Sequence, residues 1–205
     1  LQAQEHFAER YNVSYITMDD GLPHNFIDDI YKDTYGFLWI STAGGGLSRY
    51  DGYEFIHFNP NTPHCKLKSN FIHNVYEDRF HRLWIVSEGG TDIIDLSTLQ
   101  SVVPNDPKGL LPRFINQPTY IVILDSQGCI WLQCDNALHR ISFNTEGDID
   151  TLSTLDLPEL SEPDLILKDI DEDGKIWTGI NGTIYKITPT PQGQLEKSTI
   201  SEQLK

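Results

Sequence analysis

The acidic side chains are the residues of this sequence that could most readily do chemistry. The chain of 205 residues has 30 Asp and Glu, 15 Lys and Arg, and seven His. Hydrolysis of a glycosidic bond would need two carboxylates that face each other, and other acid–base chemistry would use a group of histidines. No acidic pair stands apart from the predicted turns, and the histidines lack the spacing of a zinc site. The sequence therefore predicts no catalytic residue, no metal site and no cofactor.

Two short motifs resemble ligand-binding loops but lack parts that such loops need. Gly44-Gly45-Gly46 could hold an anion, yet no lysine and no helix follow, as a phosphate loop would require. The Asp-Glu-Asp-Gly sequence from Asp171 to Gly174 could suggest calcium, but the later ligands of a calcium loop are missing. We interpret the glycines as a tight connection and the acidic residues as a turn.

The tryptophans indicate which elements position the polar side chains. Each of the four Trp residues follows an Asp by six positions, and successive Trp residues are 45, 47 and 46 positions apart. The pairs are Asp33 and Trp39, Asp78 and Trp84, Asp125 and Trp131, and Asp171 and Trp177. This period is typical of a four-stranded blade of a β-propeller, and a Trp in every repeat favours a packing role between blades. The sequence therefore predicts an all-β propeller of four-stranded antiparallel blades, with about four blades present.

Strand and turn signals place the blades at residues 21–58, 67–103, 117–155 and 163–200. The inner strand of blade one, Phe26 to Lys32, has a close copy 45 residues later in blade two. In blade three the inner strand is the apolar run Thr119 to Leu124, whereas blade four has Lys168 where an apolar residue is expected. The third strands of blades one, three and four share an apolar-x-basic-apolar pattern, from which blade two departs.

The ends of the sequence predict an open arc rather than a closed ring. Residues 7–17 alternate like an outer strand of another blade, which is one strand too many for a neat ring of four. The first and last blades would then expose apolar faces that neighbours normally cover. We therefore expect four blades of a longer propeller that relies on the rest of its polypeptide or on a homodimer partner.

Charge and cysteine content restrict the partners further. The formal net charge of −15 should repel nucleic acid and anionic lipid, and no apolar run is long enough for a membrane helix. Cys129 and Cys134 are predicted on opposite faces of one strand, so a disulfide between them is not expected. Cys65 is the third cysteine.

Polar residues are expected to converge on one face of the propeller. The loops between second and third strands lie there beside the loops that lead from one blade into the next. Carboxamides, carboxylates and hydroxyls around an aromatic floor suit a neutral sugar, whose hydroxyls need both donors and acceptors. The alternative for Asn25 and Asn70 is a turn-capping role. The ligand-binding candidates are His24, Asn25, Thr42, Asn70, Glu88, Asp135, Asn136 and Asn181.

Three motifs of blade one resemble the two-component regulator propeller repeat. They are Asn-x-Ile-x-x-Ile from Asn25, Asp-x-x-Gly-x-Leu-Trp-Ile from Asp33, and Gly-Gly-Leu-x-x-Tyr-Asp from Gly45. In that family the repeats form the extracytoplasmic sensor of hybrid two-component systems of glycan-degrading gut bacteria, commonly as seven-bladed propellers. The resemblance implies a periplasmic fragment that senses a glycan-derived saccharide and signals across the membrane, in a parent protein that carries a histidine kinase.

Two other functions stay open at this stage. A sialidase-like or lyase-type propeller enzyme would act on a polysaccharide, and the Asp-x-x-Gly-x-x-Trp turn is slightly similar to the Asp-box of sialidases. A protein-binding scaffold similar to WD or kelch repeats is the third hypothesis. The WD and kelch signatures are missing, and so is the carboxylate pair of a hydrolase.

Overall fold

The computed structural model describes residues 14–111, 115–134, 136–158, 170–180, 183–190 and 194–199. Its strands form four separate antiparallel sheets, each made from consecutive strands. Blade one contains β1 (Ile27–Lys32), β2 (Leu38–Thr42), β3 (Gly46–Tyr50) and β4 (Phe55–Phe58). Blade two contains β5 (Ile72–Glu77), β6 (Arg82–Ser87), β7 (Gly90–Asp95) and β8 (Gln100–Ser101). Blade three contains β9 (Thr119–Leu124), β10 (Ile130–Cys134), β11 (Ala137–Phe143) and β12 (Ile149–Asp156). Blade four contains β13 (Ile176–Ile180), β14 (Thr183–Pro189) and β15 (Leu195–Thr199).

The all-β fold with propeller-like blades is confirmed. Blade four has three described strands, and its predicted inner strand, which includes Lys168, lies outside the described residues. Of the predicted outer strand at 7–17, residues 7–13 also lie outside them, and Ser14 to Thr17 form no strand. Thr17 instead caps a 3₁₀ turn at Met18–Asp20, since its hydroxyl accepts from the backbone of Asp19 and the Asp20 carboxylate accepts from the backbone of Thr17.

The hydrophobic core lies between neighbouring blades. Trp39 packs with Leu83 and Ile85 of blade two, Trp84 with residues of blade three, and Trp131 with Ile176 of blade four. These three tryptophans are fully buried, as the repeat predicts. The repeat predicts the same burial for Trp177, and this is wrong, because its side chain is 41% exposed. The described residues place no further blade against it.

Each Asp–Trp pair closes the turn between the first two strands of its blade. In blade one, Oδ2 of Asp33 accepts from Nε1 of Trp39 at 2.8 Å, while Oδ1 accepts from the backbone of Phe37 at 2.9 Å. The other three blades repeat both contacts, with Nε1 to Oδ2 distances of 2.8–2.9 Å. The left-handed position of the turn is Gly in blades one, three and four, and His81 (φ 58°) in blade two. The Asp therefore orders the turn and fixes the Trp ring at once.

The structure explains why blade two lacks the basic residue of the third strand. In blade three, Nε of Arg140 donates to Oδ2 of Asp125 at 2.9 Å, which reinforces the Asp–Trp pair. In blade two the equivalent position is Ile93, directly opposite Trp84. There Nε of Arg82, from the second strand, donates to Oδ2 of Asp78 at 2.7 Å. The carboxylate has a cationic partner in both blades, but the partner comes from different strands.

In blades one, two and three, the residue after the Asp reaches the next blade by a different contact. Thr34 donates from its backbone and hydroxyl to the buried Glu77 carboxylate of blade two, at 2.8 and 2.6 Å. Arg79 donates to the carbonyl oxygens of Phe143 and Asn144 in blade three. Ser126 donates to the carbonyl oxygen of Glu172, in the turn that leads into β13.

The three cysteines lie in the described part of the chain, where they are buried and form no disulfide. Cys134 ends β10, whereas Cys129 lies one residue before this strand rather than within it. Burial, and then the nearby Asp125 carboxylate, raise the pKa of the Cys129 thiol to about 11.

Candidate ligand-binding face

We use the name loop face for the edge of the blades that carries the β2–β3, β6–β7 and β10–β11 connections and the entries into β1, β5 and β9. Backbone hydrogen bonds join neighbouring blades along this edge. The amide of Gly46 donates to the carbonyl of Asn70 at 2.9 Å, and that of Thr91 donates to Ile115 at 2.9 Å. A Cβ on Gly46 would lie 2.4 Å from the carbonyl oxygen of Phe58. The third glycine of the run therefore permits a close backbone approach, as the sequence predicts.

Several predicted ligand-binding residues have structural contacts on the loop face. Thr42 is fully buried, and its hydroxyl donates to the carbonyl of Gly46 at 3.2 Å. The side-chain oxygen of Asn25 accepts from the backbone of Met18 at 3.2 Å. Nδ1 of His24 accepts from the backbone of Phe26 at 3.0 Å, and Ser69 makes the equivalent contact with Phe71 in blade two. The caps at the strand entries thus come from His24 and Ser69 rather than from the asparagines.

The remaining candidates divide into exposed residues and residues outside the described part of the chain. Asn70, Glu88 and Asn136 are exposed on the loop face, and the backbone of each is hydrogen bonded there. Asp135 and Asn181 lie outside the described residues. The structure therefore brings Asn70 and Glu88 together at the top of blade two, while Asn136 lies on blade three.

Sequence reasoning missed three residues at bulges in the inner strands. The register of β1 against β2 shifts at Asp28, that of β5 against β6 at His73, and that of β9 against β10 at Tyr120. These positions are equivalent, since they are separated by 45 and 47 residues, as are the tryptophans. A bulge often redirects a side chain beside a functional site. The signal in the sequence was the consecutive polar pair in two otherwise apolar strands, Asp28-Asp29 and His73-Asn74.

The second residue of each polar pair joins the inner strands. Asn74 donates to the carbonyl of Val122 at 3.1 Å and accepts from its amide at 2.8 Å, in the manner of a backbone ladder. Asp29 accepts from the amide of Val75 at 3.2 Å. Burial raises the pKa of Asp29, although the backbone hydrogen bonds partly offset this effect. Asp29 and Asn74 are therefore structural, and the bulge residues beside them are the ones available for other contacts.

His73 lies at the centre of the bulge residues. Its ring is 5.6 Å from that of Tyr120, centroid to centroid, with an angle of 35° between the planes. Nε2 of His73 is buried and has no hydrogen-bond partner in the described part of the chain. Burial lowers the pKa of His73, while the carboxylates of Glu88 and Asp28 favour its protonated form. His73 thus interacts electrostatically with the equivalent residue of the preceding blade and with the loop of its own blade.

Phe71 places an aromatic ring beside these polar groups. It is 49% exposed, and a Cβ on Gly44 of blade one would lie 3.6 Å from its ring. Its carbonyl accepts from the amide of Glu88 at 3.3 Å, and it forms a bridge with Ala43. The equivalent residue of blade one, Phe26, is 64% exposed. The loop face therefore combines a fixed aromatic surface with two carboxylates and an imidazole.

Two segments of the sequence match a known family. Residues 21–44 and 66–89 match the family described as two component regulator propeller. Blades one and two each contain a two-component regulator propeller repeat. Each matched segment runs from the loop-face entry through the Asp–Trp turn to the next loop-face connection, so it includes the bulge residue and the turn. No curated protein sequence matches the chain.

Solved structures with similar folds include bacterial sensors. The extracellular domain of the hybrid two component system BT4673 from B. thetaiotaomicron is 27% identical, with a TM-score of 0.61 over 87% of this chain. That of BT3049 from the same organism is 18% identical, with a TM-score of 0.52 over 91% of this chain. This chain covers 25% and 32% of those two chains. The regulator repeats therefore occur in a fold that extracellular sensor domains share.

The propeller fold also occurs in an enzyme. Virginiamycin B lyase from Staphylococcus aureus is 17% identical, with a TM-score of 0.55, over 85% of this chain and 56% of the lyase chain. At this identity the likeness shows the fold alone. In the described residues no helix is long and apolar enough to cross a membrane.

Proposed function

We propose that this chain is the ligand-sensing part of a hybrid two-component regulator. In this proposal it lies in the periplasm, binds a glycan-derived saccharide on the loop face and passes the change to signalling domains across the membrane. The observation that carries the proposal is the match of blades one and two to the two component regulator propeller family. The likeness to the extracellular domain of BT4673 supports an extracytoplasmic location.

The loop face has the chemistry that a saccharide requires. Sugar hydroxyls need hydrogen-bond donors and acceptors, and the less polar face of a sugar ring packs on aromatic side chains. Phe71, His73 and Glu88 supply these groups within one blade. Each is held by a strand or a short connection, so the groups are largely in place before binding.

The partners in this proposal include further blades of the same polypeptide. The face of blade one that points away from blade two carries Ile30, which is 59% exposed, and Trp177 of blade four is exposed as well. In the two blades between them, the equivalent faces are covered by neighbours. By repeat symmetry, blade-like units of the parent chain, or a second copy, would cover the outer faces.

Glycan binding tests the proposal directly. The full-length protein is titrated with neutral and acidic oligosaccharides by calorimetry and by thermal shift. A ligand at 100 times its Kd should stabilise the fold by about 2.7 kcal/mol, which a melt detects easily. Absence of binding by every saccharide class at millimolar concentration, with the protein folded, would reject saccharide sensing.

The proposal also excludes turnover. Incubation with the bound saccharide should release no shorter or unsaturated product, because the sequence provides no facing carboxylate pair. If product forms, and if substitution of one acidic residue or histidine abolishes it while the melt is unchanged, the chain is an enzyme instead.

A further inference from the structure

We propose that an uncharged saccharide residue binds at the junction of blades one and two, on the Phe71 ring, with hydrogen bonds to His73, Glu88 and Asp28. This inference rests on the proposed function and adds the position and the charge class of the ligand. We call these four residues the junction site.

Phe71 is an aromatic ring that the backbone holds in an exposed position. Its amide donates to the hydroxyl of Ser69 at 3.0 Å, and its carbonyl accepts from Glu88. The bridge to Ala43 joins it to the loop of blade one. One side of the ring is supported by Gly44, so the ring needs no rearrangement to receive the apolar face of a sugar.

Strand pairing and the inner-strand bulges position the polar members of the junction site. Glu88 follows Ser87, which pairs with Ile72, so Glu88 stands opposite Phe71 across the two strands. His73 is two residues beyond Phe71, and it interacts electrostatically with both Glu88 and Asp28. A neutral imidazole can donate from one nitrogen and accept at the other, which matches a sugar hydroxyl. A small rotation of the partly buried ring toward solvent would give its unpaired Nε2 a ligand hydroxyl as partner.

The charges of the junction site select against anionic sugars. A sulfate or uronate placed on Phe71 would meet the carboxylates of Asp28 and Glu88, and each such contact at about 4 Å disfavours binding by roughly fivefold in water. The nearest basic residue in the loop before Phe71, Lys68, is already paired with Asp92 at 2.8 Å. The overall charge of −15 acts in the same direction.

Two members of the junction site, His73 and Glu88, have no equivalent in blade one, although the backbone of the two blades is the same. In blade one, the position of His73 is occupied by Asp28, and that of Glu88 by Ala43. The same backbone bonds form in both blades, since the amide of Ala43 donates to Phe26 as that of Glu88 does to Phe71. His73 and Glu88 are therefore not required by the blade structure, which favours a binding role for them.

The test measures affinity and charge selection with matched variants of the full-length protein. The probes are neutral oligosaccharides (maltohexaose, xylohexaose, cellohexaose and mannohexaose) and acidic ones (trigalacturonate and a chondroitin sulfate hexasaccharide). We expect a neutral probe to bind, Phe71→Ala to weaken it at least tenfold and His73→Gln at least fivefold. Phe26→Ala, at the equivalent position of blade one, is the control and should change affinity less than twofold. Glu88→Gln, at an exposed position, should leave the melt unchanged and reduce the discrimination against the acidic probes.

The outcomes separate this inference from the proposed function. Tighter binding of an acidic probe, or binding that survives both Phe71→Ala and His73→Gln, would overturn the junction site and leave saccharide sensing in place. A lack of binding by all of these probes and by every other saccharide class would overturn both. Equal effects of Phe71→Ala and Phe26→Ala would also contradict the junction site, since they would indicate a general effect of the exposed rings.

Discussion

Replacement of Trp84 by Ala should destabilise the protein more than the same replacement of Trp177. A fully buried Trp removes roughly 150–250 Å² from water, which corresponds to about 4–6 kcal/mol at 25 cal/mol per Å². Core truncations of this type cost about 3–5 kcal/mol, and Trp84 is 0% exposed between blades two and three. Trp177 is 41% exposed, so the same conversion of buried area gives a smaller cost of about 2–4 kcal/mol for its truncation.

Urea unfolding followed by far-ultraviolet circular dichroism would measure the two costs. In a protein of this size each kcal/mol lowers Tm by roughly 2–4 °C, so Trp84→Ala should lower it by about 6–20 °C. Trp84→Phe is the matched control, since it keeps most of the apolar volume. Its cost should be about 1 kcal/mol, because Asp78 keeps the hydrogen bond from Arg82. Equal losses for Trp84→Ala and Trp177→Ala would refute the packing between blades described above.

Three further predictions follow from burial and from the exposed outer faces. Thiol reagents should modify Cys65, Cys129 and Cys134 only after unfolding, because all three side chains are buried and burial raises the pKa of the Cys65 and Cys129 thiols. Rapid labelling of the native protein would contradict this prediction. Burial lowers the pKa of His73 below 6.5, so the unfolded chain binds more protons than the folded one as the pH falls, and the free energy of unfolding should decrease from pH 7 to pH 5. His73→Gln should make this decrease smaller. An unchanged slope in the variant would show that His73 does not cause the pH dependence. Light scattering on the isolated 205 residues should detect association through the outer faces of blades one and four, and a stable monomer would contradict the proposal that other units cover them.

Much of the fold could be predicted because the same hydrogen bond between Asp and Trp recurs in every blade. The Asp–Trp spacing identified the first turn and the second strand of each blade, and the apolar run of blade three matched β9 at both ends. Trp177 differs because its burial depends on a neighbouring blade rather than on its own sequence. Blade two also shows that a pattern can change while the interaction stays, since Arg82 takes the part that Arg140 has in blade three.

The candidate site was less predictable for a related reason. Thr42, Asn25 and His24 are polar residues of the expected face, yet each makes a local hydrogen bond that depends on the folded backbone. Conversely, the bulge at His73 adds one residue to the strand, so the buried residues Ile72 and Val75 are three positions apart, and only the polar pair between them marks the bulge in the sequence. The sequence pattern therefore does not identify His73, and it predicts Phe71 as a strand residue, whereas its side chain is 49% exposed.

The contacts of the residue after the Asp in blades one to three affect which blades can pack side by side. Near-identical repeats risk docking out of sequence during folding, which is a characteristic failure of repeat proteins. Thr34 fits a neighbour that supplies the Glu77 carboxylate, whereas Arg79 requires the carbonyl oxygens that end β11. If blade one docked on blade three, Leu124 would stand where Glu77 does. The buried Glu77 carboxylate would then lose both hydrogen bonds from Thr34 and keep only its contact with His81. The residue after the Asp thus differs between blades one to three and fits a particular neighbour, whereas the Asp–Trp pair is the same in every blade.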